Sequence, residues 1–117
     1  MNVLVVDDDK TIRNLVAEMI EIKFSRNVET FADGLSARQA IENEFNNFDL
    51  VITDCEMPGI DGLELTERIK KCYPDIRVIV ISGRHNKESA ALEAGADSFL
   101  KKPFSFDDLA ETIRRVL

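Results

Sequence analysis

Short apolar runs alternate along the chain with longer stretches in which the apolar residues recur three or four positions apart. Short runs rich in Val and Ile are typical of buried strands, whereas the wider spacing is typical of amphipathic helices. We predict five strands, at residues 3–6, 27–31, 49–54, 76–81 and 97–100. The second alternates apolar with polar residues, which indicates a place at the edge of the sheet.

Five helices are predicted to follow the five strands. The fourth spans residues 88–94, is rich in Ala and has only a weak apolar face, so we expect it to be loosely packed and closed by Gly95. In the other four helices, the residues predicted to face the core are Ile12, Leu15, Val16, Met19 and Ile20 in the first, Ala37, Ala40, Ile41 and Phe45 in the second, Leu65, Ile69 and Cys72 in the third, and Leu109, Ile113, Val116 and Leu117 in the fifth.

Two helices carry clear start signals. Asp61 is placed to cap the third helix. Ser105 is placed to cap the fifth, with Asp108 three residues later. Phe104 and Leu109 stand at the positions of a hydrophobic staple around that cap. Because strands and helices alternate with short connections, we predict an α/β fold with a parallel sheet covered on both faces.

Composition and charge narrow the class of protein. The 117 residues are expected to form one domain, 1–117, and 44% hydrophobic with 32% charged residues is typical of a soluble globular protein. With 22 acidic against 15 basic residues, the net charge of -7 argues against nucleic-acid binding by this chain alone. We see no segment long and apolar enough for a bilayer and no leader, so we expect a cytoplasmic chain with no membrane partner.

Reactive polar groups stand where the predicted strands end. They are Asp7 and Asp8 after the first strand, Asp54 at the end of the third, Ser82 after the fourth and Lys102 after the fifth. Ligands bind at the carboxyl ends of parallel strands, so we expect these groups at one rim. Two carboxylates ~5 Å apart repel by ~3 kcal/mol at an effective dielectric constant of ~20. Lys102 and a divalent ion, for which Mg²⁺ is the natural choice, would offset that repulsion.

A carboxylate, a divalent ion, a lysine and a hydroxyl at one rim suit phosphoryl transfer. The ion and the lysine would neutralise charge on the phosphoryl oxygens, and a carboxylate would act as the nucleophile. The spacing of the residues alone indicates this chemistry.

Four segments that carry these groups stand out together. They are Val5-Val6-Asp7-Asp8-Asp9, Asp54 with Met57-Pro58-Gly59 and Asp61-Gly62 after it, Ile81-Ser82-Gly83, and Lys102-Pro103-Phe104. In order and spacing, over the whole chain, they resemble the receiver domain of bacterial two-component response regulators, the CheY-like family. The resemblance implies a flavodoxin-like (βα)5 three-layer sandwich with a five-stranded parallel sheet of order 2-1-3-4-5. It also implies a signalling switch that is no enzyme beyond its own phosphorylation and dephosphorylation.

Position by position, the resemblance implies roles at the rim. Asp54 is the implied phosphoacceptor, which takes its phosphoryl group from a sensor histidine kinase or a histidine phosphotransfer protein. Asp7 and Asp8 are the implied acidic pair that holds Mg²⁺ (or Mn²⁺), Asp8 being the more direct ligand. Asp54 and the backbone carbonyl of Glu56 complete the implied ligands. Lys102 is implied to pair with the phosphate.

The resemblance also implies how the switch works. Ser82 matches the hydroxyl that moves to a phosphoryl oxygen, and Phe99 matches the aromatic whose rotamer follows. Phe99 lacks the hydroxyl of the Tyr often found there, so no hydrogen bond from such a group is expected. The Lys102–Pro103 peptide bond is expected to be cis. The face of the fourth helix, fifth strand and fifth helix would bind a downstream effector or output domain, or form a phosphorylation-dependent homodimer.

The residues also allow a phosphatase of the haloacid-dehalogenase type, with Asp7 as nucleophile. Asp7-x-Asp9-x-Thr11 after an apolar strand resembles its nucleophile motif, and Ser82 and Lys102 fit its later motifs. Against it, the chain is short for that family, no later strand ends in a second acidic pair, and Asp54 would have no role. A receiver-like binding module that is never phosphorylated is a third possibility, which the complete residue set disfavours.

Other polar residues have simpler interpretations. Asp9 is expected to cap the first helix, His85 to lie in an exposed loop, and Cys55 to pack away from the rim in reduced form. Glu56 and Arg84 each stand two residues beyond a key group. Our hypothesis is that they pair across the mouth of the site and restrict the attacking water, with two independent solvated charges as the equal alternative.

Overall fold

A computed structural model describes residues 2–24, 26–43 and 47–117. In these ranges five strands alternate with five helices, as predicted. The strands are β1 (Asn2–Val6), β2 (Asn27–Phe31), β3 (Leu50–Asp54), β4 (Arg77–Ser82) and β5 (Ser98–Lys101). The helices are α1 (Lys10–Phe24), α2 (Gly34–Glu42), α3 (Gly62–Cys72), α4 (Glu88–Glu93) and α5 (Phe106–Val116), with a 3₁₀ turn at His85–Lys87 before α4.

The five strands form one parallel sheet in the order β2-β1-β3-β4-β5. The register places Val5 beside Ile52 and Ile52 beside Ile79, so the carboxyl ends of β1, β3 and β4 lie at the same edge of the sheet. Helices α2, α3 and α4 pack on one face of the sheet, and α1 and α5 pack on the other. The predicted three-layer flavodoxin-like fold and the sheet order 2-1-3-4-5 are confirmed.

Alternate positions of the central strands supply two separate cores. Val51 lies in the core beneath α2, α3 and α4, whereas its neighbour Ile52 lies in the core beneath α1 and α5. All five residues of β3 are buried, which is why its sequence is a nearly unbroken apolar run. The edge strand β2 has no buried residue and alternates between exposed and half-buried positions, as its sequence predicts.

Hydrogen bonds confirm the predicted helix starts. Asp61 Oδ1 accepts from the backbone N–H of Glu64 at 2.9 Å, at the start of α3. At α5, Ser105 Oγ accepts from the N–H of Asp108, and Asp108 Oδ2 accepts from the N–H of Ser105, each at 3.0 Å. This reciprocal pair satisfies two N–H groups that a helix start otherwise leaves without a partner.

Replacing Ser105 by Ala is expected to lower the free energy of unfolding by about 1 kcal/mol, because the N–H of Asp108 loses its acceptor. Urea unfolding followed by far-ultraviolet circular dichroism measures this change, since the chain has no Trp. Ser89→Ala in the exposed part of α4 is the matched control, and helix propensity predicts a neutral or slightly positive effect there. Equal stability of the two variants would contradict the capping assignment.

Three residues predicted to face the core do not. Leu15 is 49% exposed because the buried stripe of α1 is centred on Val16 and Ile20, and Leu15 lies at its margin. Cys72 is the last residue of α3 and is exposed. Leu117 follows the last residue of α5 and is 48% exposed. Helical spacing predicts which side of the helix each side chain lies on. At a helix end, however, no further helical turn shields that side chain from solvent.

The element boundaries differ from the predictions by about one residue. Strands β4 and β5 each begin and end one residue later than predicted. Asp97 accounts for the start of β5, because its carboxylate accepts from the N–H of Val78 at 2.8 Å and so caps the sheet instead of extending it. Phe45, the predicted core residue at the end of the second helix, lies outside the described residues.

Candidate functional site

The carboxyl ends of four adjacent strands meet at one rim of the sheet. Strands β1, β3, β4 and β5 are neighbours there. The side chains they bring are Asp7 after β1, Asp54 at the end of β3, Ser82 at the end of β4 and Lys102 after β5. Asp7 and Asp54 are only 3% and 7% exposed and Ser82 is fully buried, whereas Asp8 is open to solvent.

Lys102 bridges the two buried carboxylates. Its Nζ lies 2.9 Å from Asp54 Oδ1 and 3.4 Å from Asp7 Oδ2. Because both carboxylates are buried, this ammonium group stabilises charges that would otherwise be poorly solvated. One positive charge does not balance the acidic groups around it.

The acidic groups at the rim form a compact set of oxygen donors. Carboxylate oxygens of Asp7, Asp8 and Asp54 lie within 4.8 Å of one another. Three carboxylates against one lysine leave an excess of two negative charges, which matches the charge of a divalent cation. Carboxylate oxygen is the donor that Mg²⁺ and Mn²⁺ prefer, and the exposed position of Asp8 leaves room for water ligands. The donor set therefore fits Mg²⁺.

Burial perturbs the acid–base behaviour of this site. Burial raises the pKa of Asp54 to about 6, and the negative charge of Asp7 adds to the rise, whereas the hydrogen bond from Lys102 opposes it. Burial also raises the pKa of Asp7, against the N–H of Asp9 and the charge of Lys102. For Lys102, burial alone would lower the pKa, but the hydrogen bond and charge of Asp54 outweigh it and raise the pKa above its ordinary value.

Local hydrogen bonds hold the first acidic residue in place. Asp7 Oδ1 accepts from the N–H of Asp9 at 2.9 Å, and the Arg13 guanidinium donates to the backbone oxygen of Asp7 at 2.8 Å. Asp9 caps α1, because its Oδ1 accepts from the N–H of Thr11 at 2.9 Å. The simpler interpretation of Asp9 is confirmed.

A glycine makes room for the end of β3. Gly62 N–H donates to the carbonyl oxygen of Cys55 at 2.8 Å, which draws the start of α3 against the residue after Asp54. A Cβ atom at position 62 would overlap the backbone oxygen of Asp54. The close approach of α3 to the rim therefore requires glycine here.

The Gly62→Ala variant is expected to lose about 1–3 kcal/mol of unfolding free energy, because the new methyl group pushes on the backbone of Asp54. Urea unfolding measures the loss. Gly83→Ala is the matched control, since a Cβ at position 83 meets no atom within 4 Å and its loss should stay near zero. Similar stability of both variants would show that α3 does not press on the rim.

The hydroxyl of Ser82 contacts Glu56, a residue that the sequence suggested as a partner of Arg84 or as an independent solvated charge. Ser82 Oγ lies 3.1 Å from Glu56 Oε1 and accepts from the backbone N–H of Arg84 at 3.0 Å. Within the described ranges, no ion pair joins Glu56 to Arg84, so the predicted pairing across the mouth is not seen. The strand register, which places Asp54 beside Ile81, is the signal that would have placed Glu56 near Ser82.

The remaining candidates take simple positions. Phe99 is half-buried against the core beneath α2, α3 and α4, and His85 is exposed. Cys55 is buried, and burial, with the charge of Glu56 beside it, raises the pKa of its thiol to about 11, so the thiol stays protonated. The Lys102–Pro103 peptide bond is cis, as expected.

Comparison with known proteins agrees with this geometry. The family described as "Response regulator receiver domain" matches residues 3–114, so the chain belongs to that family. The chain spans half or less of the length of two curated relatives that it matches. The response regulator MprA of Mycobacterium sp. (strain KMS) is 34% identical over 119 residues, which cover 100% of this chain and 50% of MprA. The DNA-binding transcriptional regulator NtrC of Azospirillum brasilense is 35% identical over 122 residues, covering 98% of this chain and 24% of NtrC.

Solved structures of receiver domains have the same fold. The response regulator TrrA of Thermotoga maritima, in complex with Mg²⁺ and BeF, superposes with a TM-score of 0.89 and is 34% identical, covering 99% of this chain and 98% of that one. The receiver domain of NtrX from Brucella abortus superposes with a TM-score of 0.88 and is 37% identical, covering 98% of this chain and 97% of that one.

Two further observations concern the phosphatase alternative and the prediction that no segment spans a membrane. Neither the family match nor the fold supports the haloacid-dehalogenase phosphatase, and Asp54, which that alternative leaves without a role, is one of the three clustered acidic residues. Among the described residues, the helices are all too short or too polar to cross a bilayer.

Proposed function

We propose that Asp54 is the phosphoacceptor of a two-component phosphorelay, taking its phosphoryl group from a sensor histidine kinase or a histidine phosphotransfer protein. One observation carries the proposal: Asp54 is buried at the rim, 2.9 Å from Lys102 and within 4.8 Å of the oxygens of Asp7 and Asp8. A nucleophilic carboxylate, a fixed lysine and a cation site are the parts that phosphoryl transfer needs.

The hydrogen bonds assign the two oxygens of Asp54 to different tasks. Lys102 Nζ holds Oδ1, so we assign nucleophilic attack on phosphorus to Oδ2. The new bond joins Oδ2 to phosphorus as the bond from phosphorus to the donor histidine nitrogen breaks, and that nitrogen keeps the electron pair. Lys102 then has a phosphoryl oxygen within reach as a new partner for its positive charge.

Asp7, Asp8, Asp54 and the backbone carbonyl of Glu56 would hold Mg²⁺ or Mn²⁺. When bound, the divalent cation supplies positive charge against the phosphoryl oxygens. The structure of TrrA, which contains Mg²⁺ with BeF, supports this assignment by similarity. In the protein alone, Lys102 holds the carboxylates of Asp7 and Asp54 in position for this chemistry.

Signalling would follow from Ser82 and Phe99. Once Asp54 is phosphorylated, the Ser82 hydroxyl donates a hydrogen bond to a phosphoryl oxygen, the turn before α4 moves toward the rim, and Phe99 changes rotamer with it. Only Ala91 of α4 is buried, so this short helix has little packing that opposes such a shift. The altered face of α4, β5 and α5 would bind an effector, an output domain or a second copy.

The chain spans half the length of MprA, so output domains and partners of the whole protein are part of this proposal. We place residues 1–117 in one receiver domain that acts in the cytoplasm as a switch, with no catalysis beyond its own phosphorylation and dephosphorylation.

Incubation of the protein with acetyl phosphate tests the proposal. We expect intact-mass spectrometry to show the addition of one phosphoryl group when Mg²⁺ is present and none when EDTA replaces it. No addition in Mg²⁺, with either acetyl phosphate or a phosphorylated histidine phosphotransfer protein as donor, would contradict the proposed function.

A further inference from the structure

The Ser82 hydroxyl can donate one hydrogen bond, and Glu56 accepts it. Ser82 Oγ lies 3.1 Å from Glu56 Oε1 and 3.5 Å from Oε2, and it accepts from the N–H of Arg84 at 3.0 Å. An ionised carboxylate only accepts hydrogen bonds, so the serine must be the donor. While its O–H points at Glu56, the hydroxyl has no other hydrogen to donate to another acceptor.

The strand register explains why Glu56 reaches this hydroxyl. Asp54 lies beside Ile81 in the sheet, and the N–H of Cys55 donates to the carbonyl oxygen of Ile81 at 2.8 Å. The next residue of the chain, Glu56, then stands beside the end of β4. Glu56 is exposed and Ser82 fully buried, so the carboxylate closes over the hydroxyl from the solvent side.

We propose that Glu56 is a positioning residue that holds the Ser82 hydroxyl in its unphosphorylated arrangement and thereby opposes the switch. This inference rests on the proposed function. When Asp54 carries a phosphoryl group, Ser82 must release Glu56 before it donates to a phosphoryl oxygen. Since Glu56 accepts this hydrogen bond in one state only, it shifts the equilibrium toward the unphosphorylated arrangement.

Loss of this hydrogen bond is expected to favour the switched state by about three- to tenfold, because the Glu56 carboxylate is exposed and the bond is partly screened. Simple repulsion between Glu56 and a negative phosphoryl group would also favour the variant. The two causes differ in their dependence on Ser82. Repulsion would weaken binding of the phosphoryl group even if Ser82 were absent, whereas the proposed restraint requires the Ser82 hydroxyl.

The affinity for beryllofluoride at saturating Mg²⁺, measured by nuclear magnetic resonance titration, separates the two causes. We expect Glu56→Ala to bind this phosphoryl mimic about three- to tenfold more tightly than the natural chain. Glu56→Asp keeps the charge but is one methylene too short to reach Ser82, so it should bind like Glu56→Ala. Combined with Ser82→Ala, neither change at position 56 should alter the affinity.

Three results would overturn the inference. They are an unchanged or weaker affinity in Glu56→Ala, a gain that persists in the Ser82→Ala background, and a Glu56→Asp variant that binds like the natural chain. If beryllofluoride binds to none of the proteins, the natural chain included, the proposed function fails and this inference fails with it. Binding without an effect of Glu56 overturns this inference alone.

A second measurement tests the contact itself without metal or phosphoryl mimic. In EDTA, Glu56→Ala and Glu56→Asp should both shift the Cβ resonance of Ser82 and the amide resonance of Arg84, whose N–H donates to the same hydroxyl. The exposed Glu93→Ala, at the far end of α4, is the control that should leave both resonances in place. Unchanged resonances in the position 56 variants would show that Glu56 does not hold Ser82.

Discussion

The Asp54→Asn variant is expected to lose about 100-fold or more of its labelling by radioactive acetyl phosphate in Mg²⁺. An amide oxygen carries no full negative charge and is a far weaker nucleophile than the carboxylate it replaces. The remaining carboxylates, Asp7 and Asp8, are expected to stay unlabelled because the proposed function assigns them to hold the cation. Labelled protein on a denaturing gel, counted at several times, measures the rate.

Asp75→Asn is the matched control for this experiment. It makes the same change of charge at an exposed residue before β4, at the opposite edge of the sheet from the rim. Its labelling should equal that of the natural chain. Undiminished labelling of Asp54→Asn, with loss in Asp7→Asn, would favour the phosphatase alternative.

The same Asp54→Asn change is expected to stabilise the metal-free protein by about 2 kcal/mol at pH 7.5. Burial raises the pKa of Asp54 to about 6 from its ordinary 3.8, so the folded state disfavours the ionised form. About two pKa units correspond to ~3 kcal/mol with the attraction of Lys102 already included, and partial solvent screening at the rim reduces the expected gain to about 2 kcal/mol. The free energy of urea unfolding in EDTA measures the gain.

The pH dependence of the stability gain in Asp54→Asn is a second test of whether ionised Asp54 destabilises the folded protein. A carboxyl with a raised pKa destabilises the folded state above that pKa, and the cost disappears as the pH falls from about 6 towards 4. The advantage of Asp54→Asn should therefore shrink through this window, whereas the exposed Asp75→Asn should stay within about 0.5 kcal/mol of the natural chain throughout. An advantage that is constant with pH, or a loss of stability, would contradict the account of the site.

The alternation of strands and helices was predictable because local signals agree with the final packing. The apolar run of β3 is buried on both faces, and Ser105 with Asp108 forms the predicted capping box. The order of the strands is different in kind. Alternation predicts a parallel sheet but leaves its strand order open, and the order 2-1-3-4-5 came from the resemblance to receiver domains.

The exposure of a helix side chain was harder to predict where it depends on how the helix packs against the sheet. Leu15 follows the helical spacing of α1, yet it is 49% exposed because its neighbours Val16 and Ile20 define the stripe that meets the sheet. Cys72 and Leu117 lie at helix ends, where helical spacing does not predict whether a side chain is buried. These errors come from tertiary contacts that a single helical segment does not encode.

Some features of the site could also be predicted from the sequence, and others could not. The positions of Asp7, Asp54 and Lys102 follow directly from strand ends in a parallel sheet. In the structure Lys102 Nζ lies 2.9 Å from Asp54 Oδ1 and 3.4 Å from Asp7 Oδ2. The contact of Glu56 with Ser82 depends on a register between two strands and on side-chain rotamers. Sequence spacing identified both residues, but it suggested Arg84 or solvent as the partner of Glu56, because the position of a side chain near a neighbouring strand is not encoded in spacing.

The chemical position of the phosphoryl group is the most direct test of this account. Phosphorylated protein is reduced with borohydride, which converts an aspartyl phosphate to homoserine, and the modified residue is located by mass spectrometry of peptides. The account predicts homoserine at position 54, formed only when Mg²⁺ was present during phosphorylation. Homoserine at position 7 or 8, or modification at 54 that is independent of the metal, would contradict it.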